Sequence, residues 1–188
     1  MTALMRAVTH AGGSLPSIAI VAVVLLAAHR PIRAGRAAMA RDALLLLAPL
    51  VAGVTADALK EVVRRPRPPG RALIEASGWG FPSSHAARSA ATAVVVIGVL
   101  TAYQHSLVRR RAVAALAVLF AGLVGWSRVY LHVHYLSDIV AGWLVGIAVA
   151  GVVLSARRWA IRRAHRDAMS DQPGPGMTDQ SEAPDAIR

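Results

Sequence analysis

Three short strings in this 188-residue chain hold side chains able to do chemistry together: KEVVRRPRP from Lys60, FPSSH ending at His85, and SRVYLHVHYLSD from Ser127 to Asp138. Lys60 is the only lysine among the 21 lysines and arginines of the chain. A lone ammonium close in sequence to Arg67, upstream of two histidine-bearing segments, suits a multiply charged anion. Arginine offers a planar fork for paired oxygens, and lysine a compact point charge. The chemistry that this implies is phosphate chemistry.

Each string has a chemical reading and a plain structural one. His134 and Asp138 are four residues apart and share a face of any helix that begins near His134. A carboxylate on one ring nitrogen fixes the tautomer and leaves the other nitrogen nucleophilic. Ser137 and Asp138 also fit a helix N-cap, with no chemistry at all. His132 stands at an offset from Asp138 that matches no helical turn. In FPSSH, Pro82 and Ser83 precede an apolar run, whose first backbone N–H groups can cradle an anion. His85 falls on the first turn, where it can donate or accept a proton, although an N-cap with an interfacial histidine fits the same residues. Arg88, a turn later, reads as an interfacial anchor. Lys60 ends an apolar segment and Arg67 lies in a proline-flanked stretch beyond it, which taken alone is a basic juxtamembrane run.

Taken together, the strings resemble the three signatures of the type-2 phosphatidic acid phosphatase family, which also contains vanadium haloperoxidases and bacterial acid phosphatases. The first signature, Lys, six residues, then Arg-Pro, is matched by Lys60, Arg67 and Pro68. The second, Pro-Ser-Gly-His, is matched by Pro82, Ser83 and His85, with Ser84 in place of glycine. The third, Ser-Arg, five residues, His, three residues, Asp, is matched by Ser127, Arg128, His134 and Asp138. The resemblance runs over residues 9–156. It implies that His134 is the nucleophile of a phosphohistidine mechanism, with Asp138 orienting it and His85 serving as general acid and then base. Lys60, Arg67, Arg128, Ser83, Ser84 and the backbone amides of residues 83–85 are then expected to hold the phosphoryl oxygens. It implies no metal and no cofactor. Membrane members of the family commonly have six spans, and this chain lacks a match for the first.

These residues must be positioned by helices in a bilayer. The chain is 55% hydrophobic with a mean hydropathy of +0.49, yet carries a net charge of +11. Apolar runs separated by arginine clusters point to a membrane protein. A basic nucleic-acid-binding face would need reading elements that this sequence does not contain. With no cysteine, neither a disulfide framework nor a thiolate metal site is available.

The expected fold is therefore an all-α, polytopic membrane helical bundle with about five transmembrane helices, over residues 12–28, 43–63, 86–103, 112–129 and 136–156. Arginine clusters at 30–41, 109–111 and 157–166 fall on one side of such a bundle, which the positive-inside rule makes cytoplasmic. The motif loops then face the extracytoplasmic side. Reading residues 1–28 as a cleaved signal peptide would leave the first cluster outside, against that rule. Residues 1–158 form the expected phosphatase domain, and residues 159–188 a basic and then disordered tail.

The expected function is an integral-membrane lipid phosphatase of the cell membrane, with a polyprenyl (undecaprenyl) pyrophosphate as substrate. Phosphatidic acid, phosphatidylglycerol phosphate and polyprenyl phosphoribose phosphate are the alternatives. Two readings of other classes remain open here: a zinc site of His132, His134 and Asp138, and a non-catalytic membrane protein binding anionic lipid through its arginines.

Overall fold

The computed structural model of the chain describes residues 1–29, 42–103 and 106–170. Among them it is all-helical. Helix α1 spans Thr2–Ala11, α2 Ser14–His29, α3 Leu47–Val63 (entered through a short 3-10 turn, Leu44–Leu46), α4 Ser84–Tyr103, α5 Leu107–Tyr130 and α6 Leu136–Ser170. Among the described residues, α4, α5 and α6 are each long and apolar enough to cross a membrane, and α1 with α2 qualifies as one span bent by 62°. The expected span over residues 43–63 is an α-helix of only 17 residues and is not among these, so three spans, or four with the bent pair, stand among the described residues against the expected five or so.

Two boundaries differ from expectation. The segment before Gly12 is a helix in its own right, broken from α2 at Gly12-Gly13. The last helix continues past the expected end of its span, through Arg157, Arg158, Arg162 and Arg163, to Ser170. Arginine ends an apolar stretch but is a good helix former, so the span stops where the helix does not. Of the expected tail, residues 171–188 lie outside the described residues, as does the first arginine cluster.

Helix α4 is the central element and packs against α2, α3, α5 and α6. The main apolar cluster gathers around it from Val21 and Leu25 of α2, Ala48, Ala52 and Ala56 of α3, and Ala87, Ala91, Val95 and Val99 of α4. Small residues let the backbones approach closely, which is how helices associate in lipid without a hydrophobic driving force. Along the α4–α6 seam, a Cβ added at Gly142 would lie 2.4 Å from the Ser83 carbonyl oxygen, and one at Gly146 2.2 Å from that of Ala87. This seam fixes the start of α4, and with it His85, against the start of α6, and with it Asp138.

The up-and-down path brings the C-terminal ends of α3 and α5 together with the N-terminal ends of α4 and α6. All three motif strings sit at this end. Arg109, Arg110 and Arg111 at the start of α5, and the arginines late in α6, belong to the other.

Overpacking the seam should be costly. Gly146→Val is expected to destabilise the bundle by about 1–3 kcal/mol, seen as a lower midpoint of thermal unfolding in detergent. An unchanged midpoint would mean that the two helices have room to spare.

Candidate active site

Asp138 lies on the first turn of α6 and is fully buried. Its Oδ2 accepts from the backbone N–H of Tyr135 at 2.9 Å and lies 3.3 Å from His134 Nδ1. Its Oδ1 accepts from Arg65 Nη1 at 2.9 Å. The contact with the carboxylate makes Nδ1 the protonated nitrogen of His134 and leaves Nε2 with its lone pair. Burial holds the His134 imidazole below the ordinary value of 6.5, while Asp138 pulls it the other way. The ring is therefore neutral near pH 7. This is the state a nucleophile needs.

His134 opens onto a cavity of about 690 Å³, which is also lined by His85, Lys60, Arg67, Arg128 and Ser84. Seven of the eight expected site residues thus converge, Asp138 doing so through His134. The eighth, Ser83, is placed differently. It is fully buried, its N–H donates to the Asp138 carbonyl oxygen at 3.0 Å, and its hydroxyl faces the Ala86 N–H at 3.5 Å. Ser83 therefore joins α4 to α6 rather than facing the cavity. Its amide is already spent.

The cations are individually fixed. Arg67 donates from Nε to the Gly78 carbonyl (3.0 Å), from Nη2 to Ser77 (2.7 Å) and from Nη1 to Val133 (2.9 Å). It thereby pins the loop between α3 and α4 onto the third string, with Nη1 3.4 Å from His134 Nε2. Arg128, on the last turn of α5, is buried and donates to Thr9 Oγ1 at 3.0 Å. Lys60 Nζ donates to Asp57 Oδ1 at 2.7 Å and to the Ser84 hydroxyl. Ser84 in turn donates to the same Asp57 oxygen. An ammonium has three donors, so two are used and one is left to point elsewhere. The serine that replaces glycine here thus helps to aim the lysine.

Several residues at this site were not among the expected site residues. Asp57 stands one turn before Lys60, and Arg88 one turn after His85, so helical spacing alone could have placed them beside the motifs. Arg88 lines the cavity and pairs with Asp57 at 3.1 Å, which corrects its reading as an interfacial anchor. Arg65 and Thr9 reach Asp138 and Arg128 across 73 and 119 residues. No local pattern announces such contacts. Helix α1 adds Arg6 and His10 to the lining and packs Met5 against Leu131 and Val133. His132, exposed and with φ +57°, lines a separate surface cavity with Pro69 and Gly70. It does not share a focus with His134, so the His132–His134–Asp138 zinc set does not assemble in this geometry.

The arrangement can hold a tetrahedral or trigonal phosphoryl group against an oriented imidazole, with a second histidine at hand for proton transfer.

A family model described as the PAP2 superfamily matches residues 42–162. Phosphatidylglycerophosphatase B of Bacillus subtilis (strain 168) is 32% identical over 151 residues, which cover 77% of this chain and 69% of that protein. The lipid A 4'-phosphatase of Bacteroides thetaiotaomicron is 39% identical over 69 residues, covering 37% of this chain and 27% of that one. Among solved structures, the transmembrane PAP2 type phosphatidylglycerolphosphate phosphatase from Bacillus subtilis superposes with a TM-score of 0.72 at 26% identity, covering 84% of this chain and 76% of that chain. LpxE of Aquifex aeolicus superposes with a TM-score of 0.61 at 22% identity, covering 82% and 85%, a likeness of fold.

A neutral His134 sets the pH dependence. Because burial lowers its pKa, the ring stays deprotonated to a lower pH than an exposed histidine, and the acidic limb of kcat/KM should lie below 6.5. Asp138→Asn removes the partner that favours the charged ring, so the limb should move lower still. The rate should drop towards the ~10⁴-fold loss of a triad deprived of its carboxylate. A limb above 6.5 in the parent protein would contradict a neutral, buried nucleophile.

Proposed function

This chain belongs to the PAP2 superfamily, to which membrane lipid phosphatases that work without a metal ion belong, and from that premise we propose that it hydrolyses the terminal phosphate of a lipid pyrophosphate through a phosphohistidine. The observation that carries this reading is the His134–Asp138 contact opening onto a cavity lined by Lys60, Arg67, Arg128 and His85. His134 Nε2 attacks phosphorus while His85 gives a proton to the departing oxygen. His85 then takes a proton from water, which attacks the phosphohistidine and releases inorganic phosphate. Lys60, Arg67, Arg128 and the backbone N–H of Ser84 hold the phosphoryl oxygens in both steps, where charge stabilisation and positioning supply most of the rate. Ser83 acts one step back, by holding α4 to α6.

For the lipid we favour a polyprenyl pyrophosphate, because Arg6 and Arg88 add cations to the cavity beyond those that one phosphoryl group uses. Phosphatidylglycerol phosphate is the second reading, favoured by the name of the Bacillus subtilis relative. We assign the phosphatase domain to residues 1–158 and a cytoplasmic tail to residues 159–188. The protein is a multi-pass membrane protein. We place it in the cell membrane with its cavity on the extracytoplasmic side, on the strength of the arginines of α5 and α6 at the other end.

Purified protein should release phosphate from at least one lipid of a panel containing these substrates, in excess EDTA and with inhibition by vanadate, a mimic of the trigonal-bipyramidal phosphoryl group. Quenching with labelled substrate should trap an acid-labile phosphohistidine that disappears in His134→Ala, whereas His132→Ala should have a mild effect. Activity abolished by EDTA and restored by zinc would sink the mechanism.

Orientation has its own test. The chain has no cysteine, so a single one at Gly70, in the loop between α3 and α4, is an unambiguous reporter. An impermeant thiol reagent should label it in intact cells. Labelling only after lysis would put the cavity on the cytoplasmic side.

A further inference from the structure

Arg88 sits inside a membrane-spanning helix, where an ionisable side chain is costly unless it is paired or used. Pairing accounts for only part of its environment. Its Nη2 donates to Asp57 Oδ2 at 3.1 Å, but its Nε is buried with no hydrogen-bond partner. Asp57 also takes the ammonium of Lys60, so two cations share one half-exposed carboxylate and the cluster keeps a net positive charge. The side chain is held in place from behind. It lies over Gly53 of α3, where an added Cβ would fall 2.2 Å from Nε, and a larger residue would push the guanidinium away. Arg88 therefore lines the cavity as a braced cation: Nε is turned into α3, and Nη1 with the second hydrogen of Nη2 remains beyond the Asp57 contact.

Its depth says what it faces. Helix α4 enters the bilayer from the cavity end, and Arg88 is three residues further along it than His85. At 1.5 Å per residue that is about 4.5 Å deeper. A lipid substrate keeps its tail in the hydrocarbon, so its leaving group lies on the deep side of the phosphoryl group that His134 attacks. Of the ionisable cavity-lining residues on α4, His85 comes first and Arg88 a turn deeper. The second of these meets the leaving group. A glycerol or sugar oxygen departs with one proton from His85 and makes no call on a further cation. A departing phosphate stays anionic after that proton arrives, and does.

We infer that Arg88, braced by Asp57 and Gly53, is a specificity-determining residue that binds the phosphate remaining on the lipid, which makes this cavity selective for lipid diphosphates over lipid monophosphates. The inference rests on the phosphatase reading above. In the step concerned, a bond forms between His134 Nε2 and the terminal phosphorus as the bond from that phosphorus to the bridging oxygen breaks. The bridging oxygen leaves with the electron pair as part of the lipid monophosphate and takes the proton from His85. Arg88 holds the oxygens of that monophosphate throughout.

The test compares kcat/KM for a polyprenyl diphosphate and for phosphatidic acid, with full-length protein in detergent. In Arg88→Ala the ratio of the two should fall about 10- to 100-fold, the range expected for a lost hydrogen bond between charged groups. Arg88→Lys should recover part of it. If the alanine variant does not fold, Arg88→Gln, which keeps length and donors but no charge, should lower the same ratio. A ratio unchanged in these variants, with both activities falling together, overturns the inference and leaves Arg88 a structural residue. Parent protein that cleaves phosphatidic acid but not the diphosphate also overturns it, with the phosphatase reading intact. Parent protein that cleaves neither lipid, nor any other of the panel, defeats the phosphatase reading itself.

Discussion

Asp138 has no exposure to solvent, and an ionised carboxylate in such a place costs on the order of several kcal/mol unless each oxygen is satisfied. The way it is satisfied organises the active end of the molecule. One oxygen takes the Tyr135 N–H and faces His134, the other takes Arg65 from the first string, and the backbone carbonyl of the same residue takes the Ser83 N–H from the second. A single residue therefore receives contacts from all three motif strings, and the loop between α3 and α4 cannot move without disturbing it. Arg65 is itself stacked over the Tyr135 ring at 4.4 Å, so it is held on two sides. The nucleophile is oriented by the same contacts that close the fold.

A second constraint is like-charge repulsion. Lys60, Arg67, Arg88 and Arg128 converge on one cavity, and without compensation they would push the helices apart. Each of the four is held by at least one local hydrogen bond. Arg67 is divided among three backbone carbonyls, Arg128 is tied to Thr9, and Lys60 and Arg88 share Asp57. Each cation is thus locked into one geometry before a phosphate arrives, which removes reorganisation cost from binding and catalysis. The arrangement also makes α1 part of the site. Its Thr9 fixes Arg128, and its Arg6 donates to the Leu73 carbonyl, tying the helix to the motif loop.

Close packing makes this possible in lipid. The α4–α6 seam depends on Gly142 and Gly146, and the junction of α1 and α2 comes close to α5 through Gly12, where an added Cβ would fall 2.4 Å from Val124. Small residues that contribute nothing chemically set how near the chemical residues can come. Arg88 could not lie flat against α3 if position 53 carried a side chain.

The sequence by itself determined the helical membrane class, the approximate spans and the three strings, because hydropathy and motif spacing are local properties of the chain. It also pointed to the His134–Asp138 pair by spacing, although His134 lies two residues before α6 begins and the two meet across the entry into the helix, where the Tyr135 N–H holds the Asp138 carboxylate. It misjudged what depends on packing. Ser83 looked like a phosphate ligand by its place in the second string, but α6 comes so close to α4 that its amide is taken by Asp138. Arg88 looked like an anchor because its partner Asp57 lies on another helix. The end of α6 was set early because charge stops an apolar run without stopping a helix. The roles of Arg65, Thr9 and α1 were decided by tertiary structure alone, because contacts across 73 and 119 residues exist only once the bundle has brought both ends of the chain to one cavity.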